Sequence, residues 1–185
     1  MRSTHSETSV RVWDPFVRVF HWSLVSCVVL NYFVVEDGET VHQVIGYIAS
    51  GLILARVAWG FVGSRHARFA DFFPTPTRLR VQLAALRAGQ HPFHPGHSPL
   101  GALMMFALMA LVLALGLTGF LQTTDAFWGD EQMQEIHEAI ASALIALAGV
   151  HGLAAIVLSR VERVNLVGAM FTGVKRRPGD RPKPR

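Results

Sequence analysis

The chain has 185 residues, of which 51% are hydrophobic and only 16% are Asp, Glu, Lys or Arg. Soluble domains carry about 25% charged residues, so this composition excludes both an ordinary soluble enzyme and a charge-rich disordered chain. A single cysteine excludes, within this chain, a disulfide framework, a CxxCH haem attachment and a thiolate iron–sulfur cage. The mean hydropathy of +0.34 indicates an integral membrane protein.

Four apolar stretches approach or exceed the ~20 residues needed to cross a bilayer as a helix. The first covers about residues 16–35 and follows a polar lead. It is long and no small-residue cleavage site follows it, so we expect it to be retained and not removed as a signal peptide. The second covers about 41–62. In the long connection that follows, Thr75 and Pro76 form an N-cap and first-turn pair, and Gly89 is a natural stop. Leu79, Leu83 and Leu86 recur between them at helical spacing against Arg78, Arg80 and Arg87, a pattern for a short interfacial helix. The third stretch, about 100–121, contains no charge, and the fourth covers about 136–158. The sequence therefore predicts an all-α integral membrane protein, a four-helix bundle formed by a single domain over residues 1–174. The basic, proline-broken segment 175–185 is expected to be a disordered tail beside anionic lipid.

The basic residues set the orientation. Sixteen of the seventeen Lys and Arg lie before the first stretch or at its start, between the second and third, or after the fourth. The other two connections carry only acidic charges: Glu36, Asp37 and Glu39, then Asp125, Asp130 and Glu131. By the positive-inside rule both termini face the cytoplasm. The same distribution explains the net charge of +4 without a nucleic-acid partner.

Ionisable residues within membrane spans are costly and mark function. His21, His42, His137 and His151 lie in or at the ends of the spans. His137 and His151 are 14 residues apart on the fourth span, which returns them to within ~40° of one face and separates them by about 21 Å along the axis. His21 is early in the first span and His42 opens the second, so depth pairs His21 with His151 near the inner side and His42 with His137 near the outer side. Stacked bis-histidine sites in a helical bundle suit two haems whose axial positions are both filled. A lone histidine can instead bond a neighbouring helix, and a histidine-lined zinc or proton path is a further alternative, although no carboxylate lies deep in the spans.

Arg56 follows His42 by 14 residues, which puts it on the same face at the inner level. There it would pair with a haem propionate or snorkel to headgroups. Arg18, one turn before His21, faces the same two options. Gly46, Gly51, Gly116, Gly119 and Gly149 would let a macrocycle approach the backbone or simply let helices pack closely. Trp13, Trp22, Trp59 and Trp128 fall near the expected interfaces, as an aromatic belt requires. Cys27 is expected to pack mid-span. His91, His94 and His97 are spaced like metal ligands, but Pro92, Pro95 and Pro99 break any helix there, so a solvated interfacial segment is expected.

These residues resemble the bacterial cytochrome b561 family, related to the di-haem cytochrome b subunit of nickel–iron hydrogenases. The likeness is carried by VWDPFVRVFHW around His21, VHQVIGY at His42, RVAWGFVGSRHARFADF from Arg56, and GHSPLGALMM opening the third span. HEAI at His137, GVH at His151 and the closing ERVNLVGAMFTGVKRR complete it, from about Val12 to Arg177. The resemblance implies that the four histidines are axial ligands of two b haems. It also implies a bacterial inner-membrane location and electron exchange between membrane quinone and a periplasmic partner.

Set against that resemblance, the chain is read as shorter than the hydrogenase subunits and is expected to be without their additional span, and its outer loops are short. The expected partner is therefore a periplasmic c-type cytochrome or other redox protein, beside lipid, quinone and, as a further candidate, a second copy of the chain. Whether the chain is a pure electron carrier or a quinone-linked oxidoreductase stays open at this point. The enzyme alternative is a superoxide-to-quinone oxidoreductase of the same family, disfavoured by the acidic outer loops. The non-redox alternative is a histidine-lined cation channel.

Overall fold

The computed structural model describes residues 9–176. Four of its helices are long and apolar enough to cross a membrane: α1 Pro15–Phe33, α2 Thr40–Val62, α5 Pro99–Leu121 and α6 Glu131–Val161. Between α2 and α5 lie a 3₁₀ turn, Arg65–Ala67, then α3 Phe69–Phe72 and α4 Pro76–Arg87. The chain closes with α7 Leu166–Thr172. A short antiparallel pair, β1 Ser9–Arg11 and β2 Val174–Arg176, joins the two ends of the described chain, with Val10 opposite Lys175.

The helix starts follow from local chemistry. Asp14 caps α1 by accepting from the Val17 amide at 2.9 Å, with Pro15 in the first turn. Ser98 and Pro99 do the same for α5, where Ser98 Oγ accepts from Gly101 N at 3.2 Å. Thr75 and Pro76 open α4 as the sequence predicts, and Gly89, at φ +69°, follows its end. The fourth span differs from expectation at its start. Hydropathy places it near residue 136, whereas α6 begins five residues earlier at Glu131, capped by Asp130, which accepts from Met133 N at 2.7 Å. The polar turn Glu131–Glu135 is good helix but poor membrane, so hydropathy alone does not register it.

Each span packs against the next in the order α1, α2, α5, α6, and α5 is the span held closely against α6. The seam between α6 and the α1–α2 pair is looser. The bundle has two unlike ends. One, here called the acidic end, carries only the short turns 34–39 and 122–130. The other, the basic end, carries β1, β2, α3, α4 and α7. In mid-bundle, Ile53, Met109, Val112, Leu144 and Ala49 form an apolar core, with Ile53 fully buried. Large apolar side chains such as Val19, Leu54, Leu117 and Leu153 point outward, as lipid-facing positions require.

The basic end is a folded cap that the sequence reading did not anticipate. Val12, Trp13, Val17, Ala67 and Ala169 make a second core there. Gly173 permits the reversal from α7 into β2 with φ +80°, and its carbonyl accepts from both Val12 N and Trp13 N. A side chain at Gly173 would collide with the Trp13 carbonyl. Lys175 and Arg176, read from sequence as the start of a disordered tail, are instead paired in β2, and Lys175 is buried. Residues 177–185 lie outside the described residues.

The aromatic-belt expectation also needs correction at this end. Trp13 is buried in the cap. Trp59 stacks on Phe16 and donates to Asp14 Oδ2, and Trp22 stacks on Phe171 and donates to the Met170 carbonyl. Trp128 alone of the four is widely exposed.

Candidate functional site

The four span histidines meet in two facing pairs. His21 on α1 and His151 on α6 have ring centres 6.5 Å apart, and His42 on α2 and His137 on α6 have ring centres 6.3 Å apart. The first pair lies toward the basic end and the second at the acidic end. Both bridge the loose seam of the bundle, since helical periodicity turns His137 and His151 to one face of α6. Two imidazoles bonded through nitrogen at about 2 Å to one metal from opposite sides place their ring centres about 6 Å apart. Both pairs therefore fit bis-axial ligation of a single iron.

Around the acidic-end pair there is a cavity of about 910 Å³, within the roughly 300–1,000 Å³ typical of cofactor pockets. Its lining includes Asn31, Gly46, Gly119, Gln134 and Leu144. Cys27 also lines it, so that thiol borders the site as well as packing within its span. Of the small residues singled out from sequence, Gly46, Gly116 and Gly119 border this space, with a Cβ on Gly119 reaching the His137 ring at 3.4 Å. Gly116 also serves packing, because a Cβ there would strike the Ser50 hydroxyl. No neighbour would meet a Cβ on Gly51 or Gly149 within 4 Å.

His137 has an orienting partner that sequence reasoning missed. Thr118 Oγ1 lies 2.8 Å from His137 Nδ1 and itself donates to the Ala114 carbonyl at 2.9 Å. With its proton directed there, the hydroxyl accepts from Nδ1–H, which leaves Nε2 free as a metal ligand. A signal was present in the sequence: Thr118 is the one hydroxyl residue in the otherwise apolar stretch 100–121. The top of α2 is held by Asn31, whose amide donates to the His42 carbonyl at 3.0 Å. Asp37 stands 3.7 Å from His42 Nδ1, too far for a hydrogen bond.

The basic-end pair is held differently. His21 packs edge-on against Trp22, and its Nδ1 is buried without a partner. Arg56 is 1% exposed, so it does not snorkel. Its Nη2 donates to the Ala67 carbonyl at 3.0 Å, its guanidinium lies over Phe69, and its Nη1 is buried without a partner. Arg18 likewise has a buried, unpartnered Nε. Asp14, the nearby carboxylate, is engaged by Val17 N, Trp59 Nε1 and Ser64 Oγ. Burial alone would raise its pKa. Hydrogen bonds from Ser64, Val17 and Trp59, with the charge of Arg56, outweigh burial and hold it below the usual 3.8.

His91, His94 and His97 are not brought together, and no group of three or more potential metal-binding His, Cys, Asp or Glu side chains occurs among the described residues. His91 is exposed, as expected of a solvated segment, but His97 is inserted into the cap.

A four-helix membrane bundle that presents histidines in facing pairs has the architecture of a membrane cytochrome. The family comes from comparison: the profile of the family described as prokaryotic cytochrome b561 matches residues 12–173, and this chain belongs to that family. It is a multi-pass membrane b-type cytochrome, which implies haem b and electron transfer. A protein of Rhodobacter capsulatus described as a probable Ni/Fe-hydrogenase B-type cytochrome subunit is 25% identical, covering 98% of this chain and 87% of that one. One of the same description from Azotobacter vinelandii is 27% identical over 95% of this chain and 92% of its own. A third, from Rhizobium leguminosarum bv. viciae, is 29% identical over 60% and 59%. No solved structure matches the chain.

Proposed function

We propose that this protein carries electrons across the bacterial inner membrane between quinone and a periplasmic redox protein, through two haem b groups. His42 and His137 hold one haem at the periplasmic side; His21 and His151 hold the other at the cytoplasmic side. The observation that carries this reading is the pair of ring–ring separations, 6.3 and 6.5 Å, at opposite ends of one bundle. Both termini are cytoplasmic, because sixteen of the seventeen basic residues lie at that end or in the segments joined to it.

Bound haem supplies one-electron chemistry at iron. The chain would supply two imidazoles to each haem, a ligand set that suits electron transfer over oxygen binding. Thr118 fixes the tautomer of His137, and Arg56 and Arg18 offer free guanidinium donors to the propionates of the cytoplasmic-side haem. Ile53, Val112 and Leu144 keep the space between the sites dry.

The partner is a periplasmic c-type cytochrome or another redox protein. A hydrogenase is one such protein, given the relatives described as its cytochrome subunits. Two observations favour a carrier over the alternatives. Asp37 borders the acidic-end cavity together with Glu138, and both oppose an anionic substrate such as superoxide. The packed apolar mid-bundle opposes a cation channel.

A reduced-minus-oxidised optical spectrum with haem quantitation on the purified protein tests the proposal. Two b haems per chain are expected, and a count of one or none rejects it. Reporter fusions in the 63–97 connection and after Arg185 should both report the cytoplasm.

A further inference from the structure

The segment 91–97 ends in a residue fixed more firmly than a connecting loop requires. The His97 ring lies between Trp13 and Phe72, with centroid separations of 4.7 Å to each. Buried Lys175 anchors the backbone just before it, donating to the Gly96 carbonyl at 2.9 Å and the His94 carbonyl at 3.3 Å. The same ammonium stands 5.4 Å from the Trp13 ring centre. Strand β2 is thereby tied to the approach to α5, and one indole contacts both Lys175 and His97. A ring packed against two aromatic side chains has little rotamer freedom left to lose when it engages a ligand.

His97 Nδ1 is sealed from solvent and has no hydrogen-bond partner. Buried polar atoms are normally paired, so an orphan of this kind calls for an explanation. Besides His21 Nδ1, two further orphans in this part of the bundle, Arg18 Nε and Arg56 Nη1, are also nitrogen donors. The electrostatic neighbours of His97 are Lys175, Arg56, His151 and His21, which places it beside the basic-end histidine pair. Burial and then those cations push its pKa down to about 3, so the ring is neutral. Lys175, pushed down to about 8 by burial, keeps most of its charge at neutral pH. Asp14 cannot serve these donors, since both its oxygens are already engaged. Three free donors beside an already engaged Asp14 suit an anion with several acceptor oxygens; Glu162, the other carboxylate near, acts on Lys175.

We infer that His97 donates through Nδ1 to a propionate of the haem held by His21 and His151, flanked by Arg18 and Arg56. Trp13, Phe72 and Lys175 are the positioning residues for that bond. This rests on the haem reading proposed above and extends it to a residue from a different segment, one that neither ligates iron nor carries a formal charge.

The experiment compares His97→Phe, which keeps a flat ring in the aromatic sandwich but removes the donor, with His97→Asn, which restores an N–H near Nδ1. Each purified variant is read for haem per chain, for both midpoint potentials by optical redox titration, and for the propionate bending band by resonance Raman. Losing a donor leaves the propionate charge less compensated, which favours ferric iron. His97→Phe should therefore lower the basic-end midpoint and shift the propionate band, with the acidic-end midpoint unchanged, and His97→Asn should recover most of both. An unmoved midpoint and band in His97→Phe overturns the inference, as does an Asn variant displaced as far as the Phe variant. If His97→Phe loses the haem altogether, His97→Asn decides: a near-native midpoint supports the bond and haem loss rejects it. Failure of the underlying haem reading looks different, because the unsubstituted protein would then lack two haems per chain.

Discussion

The two histidine pairs are nearly identical in ring separation and unlike in everything around them. At the acidic end, His137 is oriented by a hydrogen bond from its Nδ1 to Thr118, the cavity is bordered by Asp37 and Glu138, and no Lys or Arg is among its lining residues. At the basic end, His21 Nδ1 has no partner, but Arg18, Arg56 and Lys175 surround the region and a folded cap closes it. One site is tuned through its ligand and the other through its field. Polarising an imidazole toward imidazolate stabilises ferric iron, and nearby acidic charge acts in the same direction. Nearby cations stabilise the more electron-rich ferrous state. On the two-haem reading proposed above, the contrast predicts a higher midpoint potential at the basic end than at the acidic end.

The largest effects should come from the ligands. His42→Ala or His137→Ala should remove the acidic-end haem, and His21→Ala or His151→Ala the basic-end haem, each halving haem per chain. If His21→Ala and His42→Ala deplete the same spectral component, the two-site assignment fails. Next in size is Thr118→Val, which removes the acceptor for His137. Loss of such a partner weakens metal-site affinity by about 10–100-fold, so the acidic-end haem should dissociate more readily in a competition assay. Its midpoint should rise while the other stays in place.

Arg56→Gln is a smaller probe of the basic end that tests electrostatics more than packing, although it also loses the bond to the Ala67 carbonyl. Removing the charge should lower that midpoint by something on the order of tens of millivolts. A larger shift at the acidic end would refute the role of Arg56 in the field. The smallest effect concerns the cap. Asp14 has its pKa lowered on folding, so its contribution is fully present above the usual 3.8 and is lost as pH falls through the lower native value. Asp14→Ala should cost about 1 kcal/mol from the lost N-cap and flatten that acid limb in thermal-unfolding profiles. A variant as acid-sensitive as the parent would show that another group governs the limb.

The fold was legible where the signal is local. Hydropathy located all four spans to within a few residues except at the start of α6, and Thr75 caps α4 as its residue type and Pro76 predict. The depth argument paired His21 with His151 and His42 with His137, because helical rise and a fixed span direction convert sequence position into height. Those same rules say nothing about contacts outside the regular spans. His97 looked solvated because its neighbours are prolines and a glycine, and its burial depends on Trp13 and Phe72 arriving from elsewhere in the chain.

By itself the sequence determined a membrane bundle and four histidines at two levels along it, since these depend on hydrophobic length and periodicity; the direction it predicts from charge asymmetry belongs to the proposal. Tertiary structure decided the cap, the orientation of His137 by Thr118, the burial of Arg56 and the setting of His97. Each of these needs segments distant in sequence to meet, as when residues 9–11 pair with 174–176. Such meetings are fixed by which buried polar groups find partners across the whole fold, a condition no local pattern encodes.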